Sequence, residues 1–282
     1  MKHFDNITRR RFLQALAVAG GAAAIGSRNV TQAHEHPATQ TASHPLPEGA
    51  LPIGSERIAI LIYPGFTELD AFGPKYALGG MMGAKVQLIA KTLAPVRAES
   101  GFDVTPNLSF DQLPDKLDLL IVPGGTLGML EAIEDTQTLD FLRKAGGQSA
   151  LIGSVCTGSL ILGAAGLLDG YEATCHWQLL ELLPLFGAKP SKARVVFDRN
   201  RVTGAGVTAG LDFGFELVRR YRGDFYAKGM QLLAQYDPHP PFPGGGDPST
   251  ADPQVLALLS SMHQPFVVKT ANILRKAKST NQ

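Results

Sequence analysis

The chain is short of cysteine, tryptophan and net charge. Its 282 residues hold two cysteines and one tryptophan, and 26 Lys and Arg stand against 25 Asp and Glu, for a net charge of +1. Two cysteines cannot build a disulfide framework or a four-thiolate zinc site; they leave room for one nucleophile and one bystander. A charge so near zero removes the basic footprint that nucleic-acid binding requires. In residues 1–33, Lys2, Arg9, Arg10, Arg11 and Arg28 face Asp5 alone, a local +4 that leaves about −3 for the remainder. The apolar run Ala15–Gly26 would span about 18 Å as a helix, against a hydrocarbon core of roughly 30 Å, so no stable membrane insertion is expected. What is there is globular stock, 44% hydrophobic and 18% charged, in a length that suits one large domain or two small ones.

Thr8-Arg9-Arg10-Arg11-Phe12-Leu13-Gln14 ahead of the Ala- and Gly-rich run reads as an export signal over residues 1–33, with Thr31-Gln32-Ala33 as its cleavage site. The twin arginines followed by Phe-Leu resemble the twin-arginine translocation motif. The expectation is a periplasmic protein, exported folded, with the twin-arginine translocase as its partner in transit. An amphipathic N-terminal helix of the folded domain is the competing reading. Residues 34–55 lack periodicity and are rich in Pro, Ser and Thr, as a flexible linker is. Its His34, His36 and His44 read as solvated, since no acid or cysteine cluster completes a metal shell.

From Arg57 onward the texture alternates between strands and helices. Ile58–Tyr63, Lys85–Ala90, Leu117–Val122 and Ala150–Val155 read as strands, several of them continuous apolar runs of the kind buried on both faces. Helices are expected over Phe66–Met82 with a kink or break at Pro74, one or two over 126–147, then Ser159–Leu168, Thr208–Tyr221 and Asp224–Tyr236. Arg194–Phe197 and Arg201–Thr203 read as short paired strands. Pro238–Pro253 is a surface loop, and 254–282 a helical extension broken near Pro265. The fold class is α/β, a mostly parallel sheet with helices on both faces, in one domain over 56–253.

In such folds chemistry gathers at the carboxyl edge of the sheet. Gly153-Ser154-Val155-Cys156-Thr157-Gly158-Ser159 places a cysteine at a sharp strand-to-helix turn, as the serine sits in a nucleophile elbow, where a helix N-terminus favours thiolate. A buried cysteine packing as a small hydrophobe is the alternative. Pro123-Gly124-Gly125-Thr126 ends another strand with glycines whose N–H groups could approach an oxyanion; a plain tight turn is the alternative. Glu68-Leu69-Asp70 offers a carboxylate at a strand-helix junction, which by local logic caps the helix and could instead trade protons with the thiol. His176, in Cys175-His176-Trp177, is either a general base for Cys156 or a structural histidine. Gly204-Ala205-Gly206-Val207-Thr208-Ala209-Gly210 is similar to a dinucleotide fingerprint, but glycine falls at 210, one place late, and the first strand lacks the motif, so a nicotinamide cofactor is discounted.

Pro-Gly-Gly-Thr at 123–126, Ser154 to Gly170 with the following Thr-Cys-His-Trp, Thr203 to Phe213, and Tyr-Asp-Pro-His-Pro-Pro-Phe at 236–242 resemble the ThiJ/PfpI superfamily, which is class I glutamine amidotransferase-like, and within it the isonitrile hydratases. The resemblance covers roughly Arg57 to Pro253. It implies a flavodoxin-like α/β sandwich, a homodimer with sites near the interface, and no metal or organic cofactor. It further implies that Cys156 is the nucleophile, with Asp70 as its acidic partner and Thr157 beside it. Gly124, Gly125, Thr126, His176 and Gly206 are then expected around the substrate, and Phe66, Phe72, Met81 and Trp177 are expected to set pocket size. Cys175 departs from the threonine expected before His-Trp, and a second thiol could pair with Cys156 in an oxidising compartment.

The activity this implies is hydration of an isonitrile to an N-substituted formamide through a thioimidate on Cys156. A glyoxalase- or deglycase-like enzyme acting on reactive carbonyls would use the same cysteine. The same block occurs in the sensing half of AraC-type regulators, but the residues after Pro253 are too few for a helix-turn-helix domain. A periplasmic redox sensor is the remaining alternative.

Overall fold

The computed structural model describes residues 51–280. The signal expected over 1–33 and most of the linker expected over 34–55 lie outside them. The chain runs β1 (Arg57–Leu61), α1 (Glu68–Gly79), β2 (Lys85–Ala90), then the short strands β3 (Val96–Arg97), β4 (Asp103–Val104) and β5 (Leu108–Ser109). There follow β6 (Leu117–Val122), α2 (Leu127–Glu134), α3 (Thr136–Gln148), β7 (Ser149–Val155) and α4 (Gly158–Ala164). The remainder is β8 (Glu172–Ala173), β9 (Lys189–Pro190), β10 (Val195–Asp198), β11 (Arg201–Gly204), α5 (Ala209–Leu233) and α6 (Pro253–Thr280).

The apolar runs form a seven-stranded sheet in the order β10-β11-β7-β6-β1-β2-β5, parallel except for the β10–β11 hairpin. Ile58, Ile60, Leu119, Leu120 and Ile121 are fully buried, because the central strands are covered on both faces. Helices α1 and α5 pack on each other over one face; α2, α3, α4 and α6 pack together over the other. The chain moves from β1 outward to β2, then crosses back to β6 on the other side of β1, so the order reverses between β1 and β6. At that switch point the carboxyl edge opens a crevice.

Both prolines expected to break helices are accommodated. Pro74 lies inside α1 and is buried against α5, where glycines let the helices approach: a Cβ at Gly73 would stand 3.1 Å from the carbonyl carbon of Gly210. Gly210 is therefore a packing glycine and no part of a phosphate loop. Pro265 lies inside the unbroken α6, on its exposed side, where water can satisfy the carbonyl that proline leaves free. The helix expected to reach Leu168 stops at Ala164, and Gly166 turns the chain with φ +77°. In α5 the helical geometry is interrupted at Gly223 (φ 80°, ψ 171°), between the two helices the sequence suggests. The extension is anchored to the domain, with Thr270, Ala271 and Leu274 buried.

Candidate active site

Cys156 follows β7 directly and is a non-glycine residue with φ 60°. L-residues rarely adopt this geometry, and it persists here because the turn is tied on both sides. The Cys156 N–H donates to Gly204 O at 3.0 Å and Ala205 O at 2.8 Å, while α4 begins at Gly158. A Cβ at Gly158 would lie 2.2 Å from Val122 O, so the elbow is pressed against the end of β6. The side chain is 5% exposed.

Asp70 does not cap its helix. Thr67 holds the N-cap position without a side-chain cap bond, and the Asp70 carboxyl turns inward, fully buried. Its Oδ2 accepts the Gly124 N–H at 3.0 Å; its Oδ1 is buried without a partner, and the Cys156 thiol lies against the same carboxyl. Burial pushes Asp70 up to about 7, with the Gly124 N–H and the thiol pulling it down and the like charges of Glu99 and Glu68 adding to the rise. Burial, then the charge of Asp70, pushes the Cys156 thiol well above its ordinary range, and the Thr157 N–H only partly opposes this. The thiolate expected from a helix N-terminus is thus outweighed by desolvation. At neutral pH the Cys156 thiol therefore keeps its proton, and Asp70 stands near the midpoint of its titration.

The glycines after β6 serve these groups. The Gly124 N–H goes to Asp70, and the Gly125 N–H donates to Thr157 Oγ1 at 2.9 Å while that hydroxyl donates to Gly125 O at 2.8 Å. Neither amide is free for an oxyanion, which corrects the expectation: a buried carboxylate and a buried hydroxyl already occupy them. A Cβ at Gly124 would fall 2.5 Å from Thr157 Oγ1 and 2.8 Å from Asp70 Oδ2, so only glycine fits. Thr126 is the exposed N-cap of α2 and makes no side-chain cap bond. Tyr63, which the sequence reading missed, is buried beneath this loop and donates its hydroxyl to Pro123 O at 3.0 Å. Its only sequence signal is its place at the end of an apolar strand before Pro64-Gly65.

His176 is half-buried, and its ring edge meets Gly206, where a Cβ would lie 3.3 Å from Cδ2. Burial, with a smaller push from His263 of α6, lowers its affinity for a proton. Its Nδ1 accepts the Gln178 N–H at 3.4 Å. Cys175 and Cys156 are both buried free thiols, and burial pushes Cys175 up to about 12. Trp177 adjoins His176, with ring centroids 5.8 Å apart. Phe66 and Phe72 meet edge to face at 6.3 Å by the start of α1. Met81 corrects an expectation: it lies beyond the far end of α1, before β2, at the edge opposite Asp70.

Beneath the elbow runs a second polar group. Ser159 Oγ donates to Thr174 O at 2.6 Å and so accepts from Ser154 Oγ at 2.9 Å, while the Thr174 N–H donates to Thr203 Oγ1 at 2.8 Å. A separate cavity of about 490 Å³ lies at the ends of β1 and β2, between Tyr63, Lys91, Arg97 and Asp135, and does not include Cys156. Among the described residues no cluster of His, Cys, Asp and Glu has the makings of a metal site, and no helix is long and apolar enough to cross a membrane.

Fold and site together define an α/β protein with a cysteine elbow facing a buried carboxyl. The chain belongs to the DJ-1/PfpI family, whose sequence profile matches residues 56–220. It is 44% identical over 200 residues to the isonitrile hydratase of Pseudomonas putida, covering 71% of this chain and 86% of that one. A crystal structure of a ThiJ/PfpI family protein from Pseudomonas syringae, also 44% identical, covers 85% of this chain and 98% of its own, with a TM-score of 0.79. The transcriptional regulator GbdR of Pseudomonas aeruginosa is 35% identical over 130 residues, which is 45% of this chain and 35% of the regulator.

Proposed function

We propose that this chain hydrates isonitriles to N-substituted formamides, with Cys156 as nucleophile and Asp70 as acid and base. The observation that carries the reading is the buried Asp70 carboxyl, one oxygen fixed by Gly124 and the other without a partner, set against the Cys156 thiol. Likeness to a hydratase over most of the domain supports the choice of substrate class. Asp70 takes the thiol proton as sulfur bonds to the terminal isonitrile carbon, then returns that proton to the same carbon, giving a thioimidate, R–N=CH–S–Cys156. Asp70 next takes a proton from water as the oxygen adds to this carbon, and passes it to nitrogen. The tetrahedral adduct, R–NH–CH(OH)–S–Cys156, loses sulfur, and the hydroxyl proton returns to the Cys156–Asp70 pair. One water is consumed and R–NH–CHO leaves. Positioned proton transfer of this kind contributes about 10²–10⁴-fold.

Thr157 holds the Gly125 loop in place, and His176 and Gly206, which meet each other, are proposed to border the substrate. The twin-arginine segment supports export to the periplasm, and the family resemblance supports a homodimer. The test is formamide formation from cyclohexyl isocyanide, followed by chromatography, with reductant present. Wild type is expected to turn over and Cys156→Ala to lose all turnover while keeping its far-UV spectrum. Methylglyoxal consumption without formamide from the isonitrile would replace this reading with the carbonyl one.

A further inference from the structure

The end of β3 and the loop that leads to β4 are fastened to the entry of α1 at four points. The Gly65 N–H donates to Arg97 O at 2.8 Å and the Glu99 N–H to Phe66 O at 3.0 Å. The Ser100 N–H donates to Glu68 Oε1 at 2.7 Å, and the Thr67 hydroxyl donates to Glu99 Oε2 at 2.6 Å. The last bond is the informative one. Thr67 is the N-cap of α1 and Asp70 stands three residues on, the spacing of a capping box. Neither member caps: the hydroxyl is turned out to Glu99, and the carboxyl is turned in to Gly124. A helix start has given up its own side-chain caps, and one of them tethers a carboxylate from another part of the chain.

That carboxylate bears on the buried one. The titratable groups facing Asp70 are Glu68 on its own helix, Glu99 on the β3–β4 loop, Cys156 at the elbow, Cys175 beyond β8, and Tyr63 at the end of β1. The guanidinium just before this loop, that of Arg97 in β3, pairs with Asp103 of β4 at 3.3 Å. Glu99 acts as a like charge on both Asp70 and Tyr63.

We propose that Glu99 is a positioning residue: held by Thr67, it fixes a carboxylate at the N-cap of the helix that carries Asp70, and so sets the pH at which Asp70, facing the Cys156 thiol, gives up its proton. This rests on the reading of Asp70 as the acid and base of the site. A like charge disfavours a second ionisation nearby, and a tethered carboxylate does so at a constant distance. The sequence gives no sign of this, since Glu99 sits in a loop without a motif.

The test reads the pair without relying on turnover. Alkylation of Cys156 by iodoacetamide is followed by peptide mass spectrometry from about pH 5 to 9, in wild type, Asp70→Asn, Glu99→Gln and Glu99→Asp. The glutamine amide oxygen still accepts from Thr67, so the loop stays fastened and only the charge is removed. The inflection that Asp70→Asn abolishes is expected to move down by about half a pH unit in Glu99→Gln and to return toward wild type in Glu99→Asp. The acid limb of formamide formation is expected to move with it, because Asp70 must be ionised to take the thiol proton. An inflection that stays in place in Glu99→Gln overturns the proposal, because a purely structural role would change rates without moving it. A shifted inflection in a protein whose wild type makes no formamide upholds the role of Glu99 and removes the hydratase reading.

Discussion

Two buried polar clusters flank the same turn, and they are built to different standards. On one side, Ser154, Ser159, Thr174 and Thr203 pass hydrogen bonds along a chain with no ionisable member. On the other, Asp70, Gly124, Gly125 and Thr157 hold a carboxyl with one oxygen unpartnered, next to a cysteine in a strained backbone conformation. Folding alone would select the first arrangement, since an unpaired buried polar atom costs about 1–3 kcal/mol. The second is what the proposed reaction needs: a carboxyl with an oxygen left for substrate and a proton that comes and goes near neutral pH. On the proposed reading this difference marks the reacting groups more sharply than exposure or cavity size does, for the cavity at the ends of β1 and β2 lies elsewhere.

The sharpest way to break the comparison is to make the second cluster resemble the first. Asp70→Asn keeps the shape and the acceptor for Gly124 but removes the titratable proton. Turnover is expected to fall by about 10²–10⁴-fold, while stability rises. The sign follows from linkage. Folding raises Asp70 from an ordinary 3.8 to about 7, so the folded chain binds this proton more tightly than the unfolded one. The stability this gives is present below about pH 4, is lost as pH climbs through 7, and stays lost above it. Melting temperature against pH should therefore fall across that window in wild type and be flatter in Asp70→Asn, which should melt higher at pH 8. A variant that loses both activity and stability would show that Asp70 is structural.

A smaller effect is expected from Thr157→Val, which removes both bonds to Gly125 without touching either reacting group. The loop carrying the Gly124 N–H is then free to shift. A displacement of this kind costs about 10–100-fold in turnover, and Thr157→Ser should restore most of it. Equal rates in Thr157→Val and wild type would place Thr157 with the structural cluster.

These contrasts also show what the sequence discloses. The parallel sheet was legible because Ile58–Leu61, Leu117–Val122 and Ala150–Val155 are continuous apolar runs between turn residues, and burial on both faces demands that pattern. Cys156 stood out because it follows a strand-to-helix turn at the carboxyl edge of the sheet; Asp70 stood at such a turn too, but local logic favoured a helix cap and only the family resemblance put it beside the thiol. Their orientation was not legible. Whether Asp70 caps α1 or turns inward depends on the Gly124 N–H, and whether that N–H is free for substrate depends on Asp70, a mutual choice made only when β1 and β6 pair. Glu99 and the serine–threonine chain were illegible for a related reason: their partners come together only in the fold, and short polar residues scattered along a sequence carry no period. Pro265 misled because proline interrupts a helix only where the freed carbonyl has no other partner, and its exposed position in α6 removes that penalty.

The least effect on chemistry is expected from the fully paired cluster, and this is where the comparison is most exposed. Ser159 sits only three residues beyond Cys156, and Ser154 two before it. If proximity governed function, Ser159→Ala should damage catalysis. The hydrogen bonds argue otherwise, because Ser159 Oγ gives its one proton to Thr174 O and receives one from Ser154, leaving it no proton to give to a substrate. Its removal strands the Ser154 hydroxyl and the Thr174 carbonyl inside the protein, a loss of about 1–3 kcal/mol. Urea titration is expected to show that loss, with kcat and KM for an isonitrile within about threefold of wild type, an energy below 1 kcal/mol. A large fall in kcat at unchanged stability would mean that the serine–threonine chain moves protons for Cys156, and that the two clusters are one.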